Sequence, residues 1–499
     1  MNRFSNAFIV IGIIIFTLFI FLIDLGNINI TITAGVAILM AFWWMTETLP
    51  LSVTSLIPLI IFPISGVLPA SKISESYINS IIFLFLGGFL IAIAIETWNL
   101  HKRIALKIIL FFGTKPSKLL LGFMVASAFL SMWISNTATA LMMLPVAFAV
   151  IKQFSESLEN SSNLTKALLL GIAYSCSIGG IATLVGTQPN LVFVRVAKIS
   201  FPASPQINFI DWMIMALPIS MVILIFTYLL LIFLFKLTKF QSDSQKFSER
   251  NLILSEYQKL GRMTYEEKAV AFVFLTAVVL WITRTNIDMG FIKLTGWSNL
   301  LNLQNFVDDS TVAVFAAFLL FIIPTKKENE SKRLLSISAI EKVPWNVILL
   351  FGGGFALAAA FSESGLSKLI GSKFNNFGHI EIIFLIFIVS ITINFLTEFT
   401  SNTAVTQMIL PVLSSVAISL NYHPFLLMIP ATLAASMAFM LPVGTPPNTI
   451  VFSSNKLKIM DMVKTGFILN FLSTIIITLI VYFLGNIIFD LSVFPVWAK

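Results

Sequence analysis

The sequence predicts an all-α polytopic membrane protein of about eleven transmembrane helices and two re-entrant hairpins, arranged as two inverted repeats. Three observations carry this reading. The 499 residues are 58% hydrophobic and only 11% charged, with a mean hydropathy of +0.95, whereas a soluble globular chain carries roughly 25% charged residues. The apolar residues gather into runs of about 17 to 25, enough to cross a hydrocarbon core as helices. The weak alternation of a membrane barrel is absent, so helices remain as the way to satisfy the backbone in lipid. Finally, Ser135-Asn136-Thr137-Ala138, followed by Leu144-Pro145-Val146, returns as Ser401-Asn402-Thr403-Ala404, followed by Leu410-Pro411-Val412, at one offset of 266 residues.

The first run, Ala7 to Asp24, follows Asn2-Arg3 as a secretory leader would, but no small-x-small cleavage site follows it, and it reads as a retained helix. Helices are expected next near 31–47, 52–65 and 80–100. Segment 117–152 differs, because Lys102, Arg103, Lys107, Lys115 and Lys118 precede it and Lys152 ends it. With both ends basic it enters and leaves on one face, a hairpin with Ser135-Asn136-Thr137 near its tip. Spans at 166–200 and 210–236 follow. A polar loop, 236–268, then carries seven Lys/Arg and divides the halves.

The second half reads as 269–284, 311–324, 345–363, a hairpin at 381–419 around Ser401, then 424–454 and 465–490. With a cytoplasmic N-terminus this order leaves about 23 of the 31 Lys/Arg inside and the C-terminus outside. Phe85-Leu86-Gly87-Gly88-Phe89 matches Phe351-Gly352-Gly353-Gly354-Phe355 at the same 266 offset, and Gly186-Thr187-Gln188-Pro189-Asn190 answers Gly444-Thr445-Pro446-Pro447-Asn448 at 258. An odd number of spans in each half gives the copies opposite orientation, the plan of secondary transporters.

Non-helical backbone at membrane depth is tolerated only where it lines a cavity or is buried in protein. Gly-Thr-Pro-Pro-Asn inside an apolar run therefore marks a broken helix, with Asn190 and Asn448 as candidate caps of the helices that resume; the plainer alternative is a proline kink. Each hairpin tip and each break leaves N-H groups that favour anions and carbonyls that favour small hard cations such as sodium. The Ser, Thr and Asn side chains add neutral oxygens and donors. No Lys or Arg lies inside the motifs, so a bound anion is neutralised by helix ends, hydroxyls and co-bound cations.

Other features narrow the function. The single Cys176 excludes an intramolecular disulfide and a cysteine metal site, and reads as a small packed residue. The net charge of +8 follows from the basic cytoplasmic loops, so no nucleic-acid partner is expected. Among ionisable residues near spans, Glu47 reads as a helix-end anchor, and Glu96 and Glu363 are noted. Glu398 stands where the first repeat has Met132 and is open to an ion or proton role or to anchoring its hairpin. His101 and His423 are expected in solvated loops, and Trp98, Trp281, Trp297 and Trp345 in interfacial belts. A membrane enzyme is disfavoured: there is no His-Glu-x-x-His, no Gly-x-Ser-x-Gly, and Asp308-Asp309 falls in an expected loop. A channel suits two symmetry-related half-sites less well than alternating access does.

The paired Ser-Asn-Thr motifs, the Gly-Thr-Pro-Pro-Asn break and Trp43-Trp44-Met45-Thr46-Glu47 resemble the divalent anion:sodium symporter family, over nearly the whole chain. The resemblance implies an elevator, in which a scaffold domain forms a homodimer in the inner (plasma) membrane while a transport domain carries a dicarboxylate dianion and sodium across the lipid. On that plan residues 1–116 are scaffold, with the first repeat starting at about 31, and 117–235 are transport part. Residues 236–268 are a cytoplasmic linker, 269–380 scaffold and 381–499 transport part. Substrate carboxylates would meet Ser135, Asn136, Thr137, Ser401, Asn402 and Thr403, with Thr445 and Pro446 beside them. One sodium site would use Ser131, Ser135, Asn136 and Gly186, its counterpart Thr397, Thr400, Asn402 and Gly444. Gln188 departs from the double proline expected in the first break. Sodium is the coupling ion and no other cofactor is implied. C4 dicarboxylates such as succinate, fumarate or malate are the expected substrates, with a sodium-independent exchanger and a sulfate or citrate symporter as rivals.

Overall fold

The computed structural model describes residues 3–113, 115–155, 161–237, 246–288, 293–326, 332–374 and 380–498. The described residues are mostly helical, with one two-stranded ribbon among them, Ile287–Asp288 against Lys293–Leu294. Among the described residues six stretches are long and apolar enough to cross a membrane: Ile28–Thr46, Ala70–Thr97, Phe209–Leu234, Trp345–Ser364, Asn402–Ser419 and Ile459–Phe489. Shorter apolar helices stand among them, including the paired arms Pro116–Ser131 with Asn136–Ser155 and Ile382–Leu396 with Asn402–Ser419. These are hairpin 1 and hairpin 2. The expected breaks are also present. Ser161–Gly180 stops and resumes as Gln188–Ser200, and Phe425–Ala434 stops and resumes as Pro446–Phe452; these are break 1 and break 2.

Local signals explain most helix ends. Asn27 and Asn79 accept from the N-H two residues on, Thr264 and Glu267 form a capping box, and Gly365 ends Trp345–Ser364 with φ 84°. Pro145 and Pro411 sit inside the second arms of the two hairpins.

The structure adds elements where loops were expected. Leu100–Phe112 and Leu366–Phe374 are amphipathic helices at corresponding places, 266 residues apart, turned off their preceding spans at Asn99 (φ 58°) and Gly365. Lysines spaced among apolar residues hid the first of them. The 236–268 loop contains the helix Lys246–Lys259, and 52–65 is two short helices, Leu51–Thr54 and Ile57–Ile64.

Between helices in lipid, close packing replaces hydrophobic association, and small residues supply it. A Cβ on Gly179 would strike the backbone of Ala128, joining break 1 to hairpin 1, and one on Gly87 would lie 2.6 Å from Ala313. Two buried ion pairs fasten helix ends. Arg103 Nε donates to Glu267 at 2.9 Å while its other nitrogens reach the Leu260 and Gly261 carbonyls. Arg284 donates to Asp309 at 2.6 Å and to Asn208, and Asp309 also accepts from the Phe209 N-H.

Several expectations are corrected here. Asp308 and Asp309 are not a free loop: Asp308 caps the helix Asp309–Ile322, and Asp309 is buried on Arg284. His101 and His423 are buried, not solvated, the first against the Ile95 carbonyl and the second accepting from the Phe425 N-H. Burial pushes His423, in the turn between two helices, down to about 4. Trp98 and Trp281 are buried, each donating inward to a carbonyl at 2.9 Å, whereas Trp345 stays exposed. Cys176 is buried as expected.

Candidate functional site

Hairpin 1 turns at Met132–Ser135, where Ile134 N-H closes on the Leu130 carbonyl and the chain re-enters a helix at Asn136. Ser135 Oγ accepts from the Ala138 N-H at 3.1 Å, capping that helix. Hairpin 2 repeats the turn, with Ser401 capping through the Ala404 N-H at 3.5 Å. Serine is at both tips because a short hydroxyl can satisfy a free N-H of the helix it precedes.

Behind each tip lies a matched bond. Ser131 Oγ donates to Asn136 Oδ1, and Thr397 Oγ1 donates to Asn402 Oδ1 at 2.5 Å and to the Ala435 carbonyl at 2.9 Å. Ser131 and Thr397 stand at the helix ends of the incoming arms, buried, so each hydroxyl holds the asparagine of its own tip in place.

The breaks face these tips. Asn190 Nδ2 donates to the carbonyls of Thr183, Ile181 and Gly180 at 2.7, 3.2 and 3.3 Å, and Asn448 Nδ2 to those of Leu441 and Ala438 at 3.0 and 3.1 Å. The two asparagines are therefore braces that hold unwound carbonyls; the N-cap positions belong to Thr187 and Thr445, and of these Thr445 caps with its side chain. Thr445 Oγ1 accepts from the Asn448 N-H at 3.4 Å. An atom at the Cβ position of Gly180 would be 2.8 Å from Asn136 Oδ1 and 3.2 Å from the Gly186 carbonyl, and one on Gly186 would be 3.0 Å from the Ser131 carbonyl. Neutral oxygens of hairpin 1 and break 1 thus converge around two glycines that leave them room. Among the described residues no cluster of three or more His, Cys, Asp or Glu is placed to hold a metal ion.

Two cavities open on this arrangement. The first, about 120 Å³, is lined by Ser135, Asn136, Thr137, Gly186, Thr187, Gln188, Asn402, Thr445 and Pro446, with Phe85, Gly88, Phe89 and Trp133 as walls. The second, about 480 Å³, is lined by Thr400, Ser401, Asn402, Thr403, Gly444, Pro446 and Gln188, with Met45, Thr46 and Glu47 at its side. Gln188, Asn402 and Pro446 belong to both. Three helices of 20, 13 and 18 residues begin at Asn136, Gln188 and Asn402, and their positive ends face the cavities, which suits an anion. All predicted site residues are brought together, the tips on the cavity walls and Ser131 and Thr397 just behind them.

The ionisable candidates separate. Glu398 is an anchor: its carboxylate, 1% exposed, accepts from the N-H groups of Phe439, Met440 and Leu441 at 2.7 to 2.9 Å and from Asn470 Nδ2 at 2.7 Å. It latches hairpin 2 to break 2, whereas in the first half the Thr183 hydroxyl donates to the Met132 carbonyl at 2.5 Å. Glu47 is exposed at the rim of the second cavity, Glu363 pairs with Lys72 away from the site, and Glu96 lines a separate cavity with His101 and Lys102. Sequence reasoning did not find the bond from Thr403 Oγ1 to Gln188 Oε1, 3.1 Å, which ties hairpin 2 to break 1. The one signal for it was the departure of Gln188 from the proline of the second copy.

Residues 2–491 match the family model described as the sodium:sulfate symporter transmembrane region. The sodium-dependent dicarboxylate transporter SdcS of Staphylococcus saprophyticus subsp. saprophyticus is 40% identical over 485 residues, covering 95% of this chain and 90% of that protein. The transporter of the same name from Staphylococcus aureus strain MRSA252 is 41% identical over 466 residues, covering 92% and 86%. Among solved structures, the Alcanivorax borkumensis YdaH transporter superposes with a TM-score of 0.54 at 12% identity over 90% of this chain and 98% of its own. Neisseria gonorrhoeae MtrF gives 0.52 at 11% identity over 99% and 98%. Both likenesses are of fold alone. With a family match over nearly its full length and relatives at this identity, the chain belongs to the sodium:sulfate symporter family, the divalent anion:sodium symporters, and is an integral membrane transporter and not an enzyme.

Proposed function

We propose that this chain imports C4 dicarboxylates such as succinate, fumarate or malate by coupling to sodium, and that it works as an elevator. The observation that carries the reading is the matched pair of hairpin and break. Each couples an asparagine oxygen, held by a hydroxyl, to unwound carbonyls, and each presents the start of a helix to a shared cavity. In this reading sodium sits among Ser131, Ser135, Asn136 and Gly186, and again among Thr397, Thr400, Asn402 and Gly444. The substrate carboxylates lie against Ser135, Asn136, Thr137, Ser401, Asn402, Thr403, Thr445 and Pro446. The name of the relatives, sodium-dependent dicarboxylate transporter, supports the sodium coupling and a dicarboxylate as substrate.

Charge arithmetic favours coupling. Moving one charge against 100 mV costs about 2.3 kcal/mol, so a lone dianion entering a negative cell is opposed by about 4.6 kcal/mol. Two sodium ions cancel that term, and a third makes entry favourable.

The elevator reading assigns residues 1–116 and 269–380 to a scaffold that dimerises, 117–235 and 381–499 to the moving part, and 236–268 to a cytoplasmic linker. It counts about eleven spans in two inverted repeats, with the N-terminus inside and the C-terminus outside the plasma membrane. The test is uptake of labelled succinate into proteoliposomes, with citrate and sulfate as competitors. Uptake should require an inward sodium gradient, and uptake undiminished in choline or potassium buffer would overturn the coupling. Stronger competition by sulfate than by unlabelled succinate would turn the substrate assignment to the inorganic anion that the family description names.

A further inference from the structure

Gln188 stands at the position that Pro446 occupies in the second break, and the backbone does not explain the difference. Thr187 before it has φ −145° and ψ 148°, and Thr445 before Pro446 has φ −143° and ψ 151°. Both are the extended conformation a following proline requires, and both 188 and 446 are first helical positions, where proline is well tolerated. A proline would fit at 188, so the reason for glutamine lies in its side chain.

That side chain is oriented. Thr403, on the helix that begins at the tip of hairpin 2, donates its hydroxyl to Gln188 Oε1 at 3.1 Å. With its oxygen engaged, the amide keeps two N-H donors on Nε2, which has no hydrogen bond to protein among the described residues, and Gln188 lines both cavities. Its counterpart Pro446 lines the same two cavities and offers no donor.

We propose that Gln188 is a substrate-contacting residue, whose amide donates to an oxygen of the bound dianion and makes the otherwise matched clamp unequal at its two ends. The proposal rests on the dianion-transport reading and adds to it a specificity contact in this chain's first break. Break 1 then supplies a side-chain amide donor that break 2, with Pro446 at the matching position, does not. A substrate with acceptor oxygens at the break 1 end therefore binds better than one that lacks them.

The test compares the wild type with Gln188→Pro, which restores the paired pattern, and Gln188→Met, which keeps the backbone N-H and the side-chain length but has no amide. Succinate uptake is measured in proteoliposomes at saturating sodium. A hydrogen bond to a charged group is at stake, so both variants should raise KM about tenfold or more. Turnover and the sodium concentration for half-maximal uptake should stay near the wild-type values, a split that general damage to the fold would not give. An unchanged KM in Gln188→Met would overturn the inference, and Gln188→Met answers the question even if the proline variant fails to fold. Wild-type protein that takes up no succinate on a sodium gradient would instead overturn the transport reading, before any variant is compared.

Discussion

At the scale of single residues, the proposed site rests on two asparagines that each serve two purposes. Asn136 and Asn402 each have an oxygen held by Ser131 or Thr397 behind the tip, and each opens a helix toward the cavity. Alanine at either position should raise both the sodium and the succinate concentrations for half-maximal uptake by about tenfold, the loss of a charge-assisted hydrogen bond. Uptake by either variant like that of the parent at low sodium would remove that residue from the site. His423 gives a prediction of another kind. Its ring is buried, and burial pushes it from the ordinary 6.5 down to about 4. The folded state thus keeps it neutral while the unfolded chain takes up a proton. Its contribution is complete above pH 6.5 and is lost as pH falls from 6.5 toward 4, about 2 kcal/mol by pH 5. Thermal unfolding in detergent should show a steeper acid loss for the wild type than for His423→Gln; identical pH profiles would contradict it.

At the scale of elements, the structure shows which signals survive in a sequence and which do not. The hairpins and breaks were legible because polar tetrapeptides and Gly-Pro clusters interrupt apolar runs and do so twice. Leu100–Phe112 was not, since its lysines look like a loop when periodicity is ignored, and nothing in one sequence told that Asp309 would be buried on Arg284. Contacts between distant segments carry no local signature. Thr403 to Gln188 and Glu398 to the 439–441 N-H groups are of that kind. The Arg284 and Asp309 pair joins the start of Phe209–Leu234, the end of Tyr265–Ile282 and the start of Asp309–Ile322. Removing one member leaves the other charge buried, so Arg284→Met should lower stability by about 3 to 5 kcal/mol. Double replacement with Asp309→Leu should recover part of it. Equal unfolding temperatures for wild type and Arg284→Met would show that solvent reaches the pair.

At the scale of the whole molecule, an elevator needs a face along which one part can move against another without side chains that interlock. In the proposed elevator, two glycines at the 266 offset lie between the fixed and the moving part. A Cβ on Gly88, in Ser80–Thr97, would come within 3.3 Å of Val185 in break 1, and one on Gly354, in Trp345–Ser364, would run into the Gln407 side chain of hairpin 2. On the proposed division both glycines are scaffold and both partners move. Gln407 also donates to the Leu350 carbonyl at 3.1 Å, a bond that has to be exchanged if hairpin 2 travels. Small residues at these points allow close approach without a ridge. Leucine at Gly354 adds volume where the Gln407 side chain already sits, and overpacking costs about 1 to 3 kcal/mol, which on a moving step slows turnover about 5 to 150-fold. Because Gly354 lines neither cavity, thermal stabilisation by sodium with succinate should persist in Gly354→Leu while uptake falls. Folded Gly354→Leu protein that transports at the parent rate would mean that this face does not slide, and the boundary between fixed and moving parts would have to be drawn elsewhere.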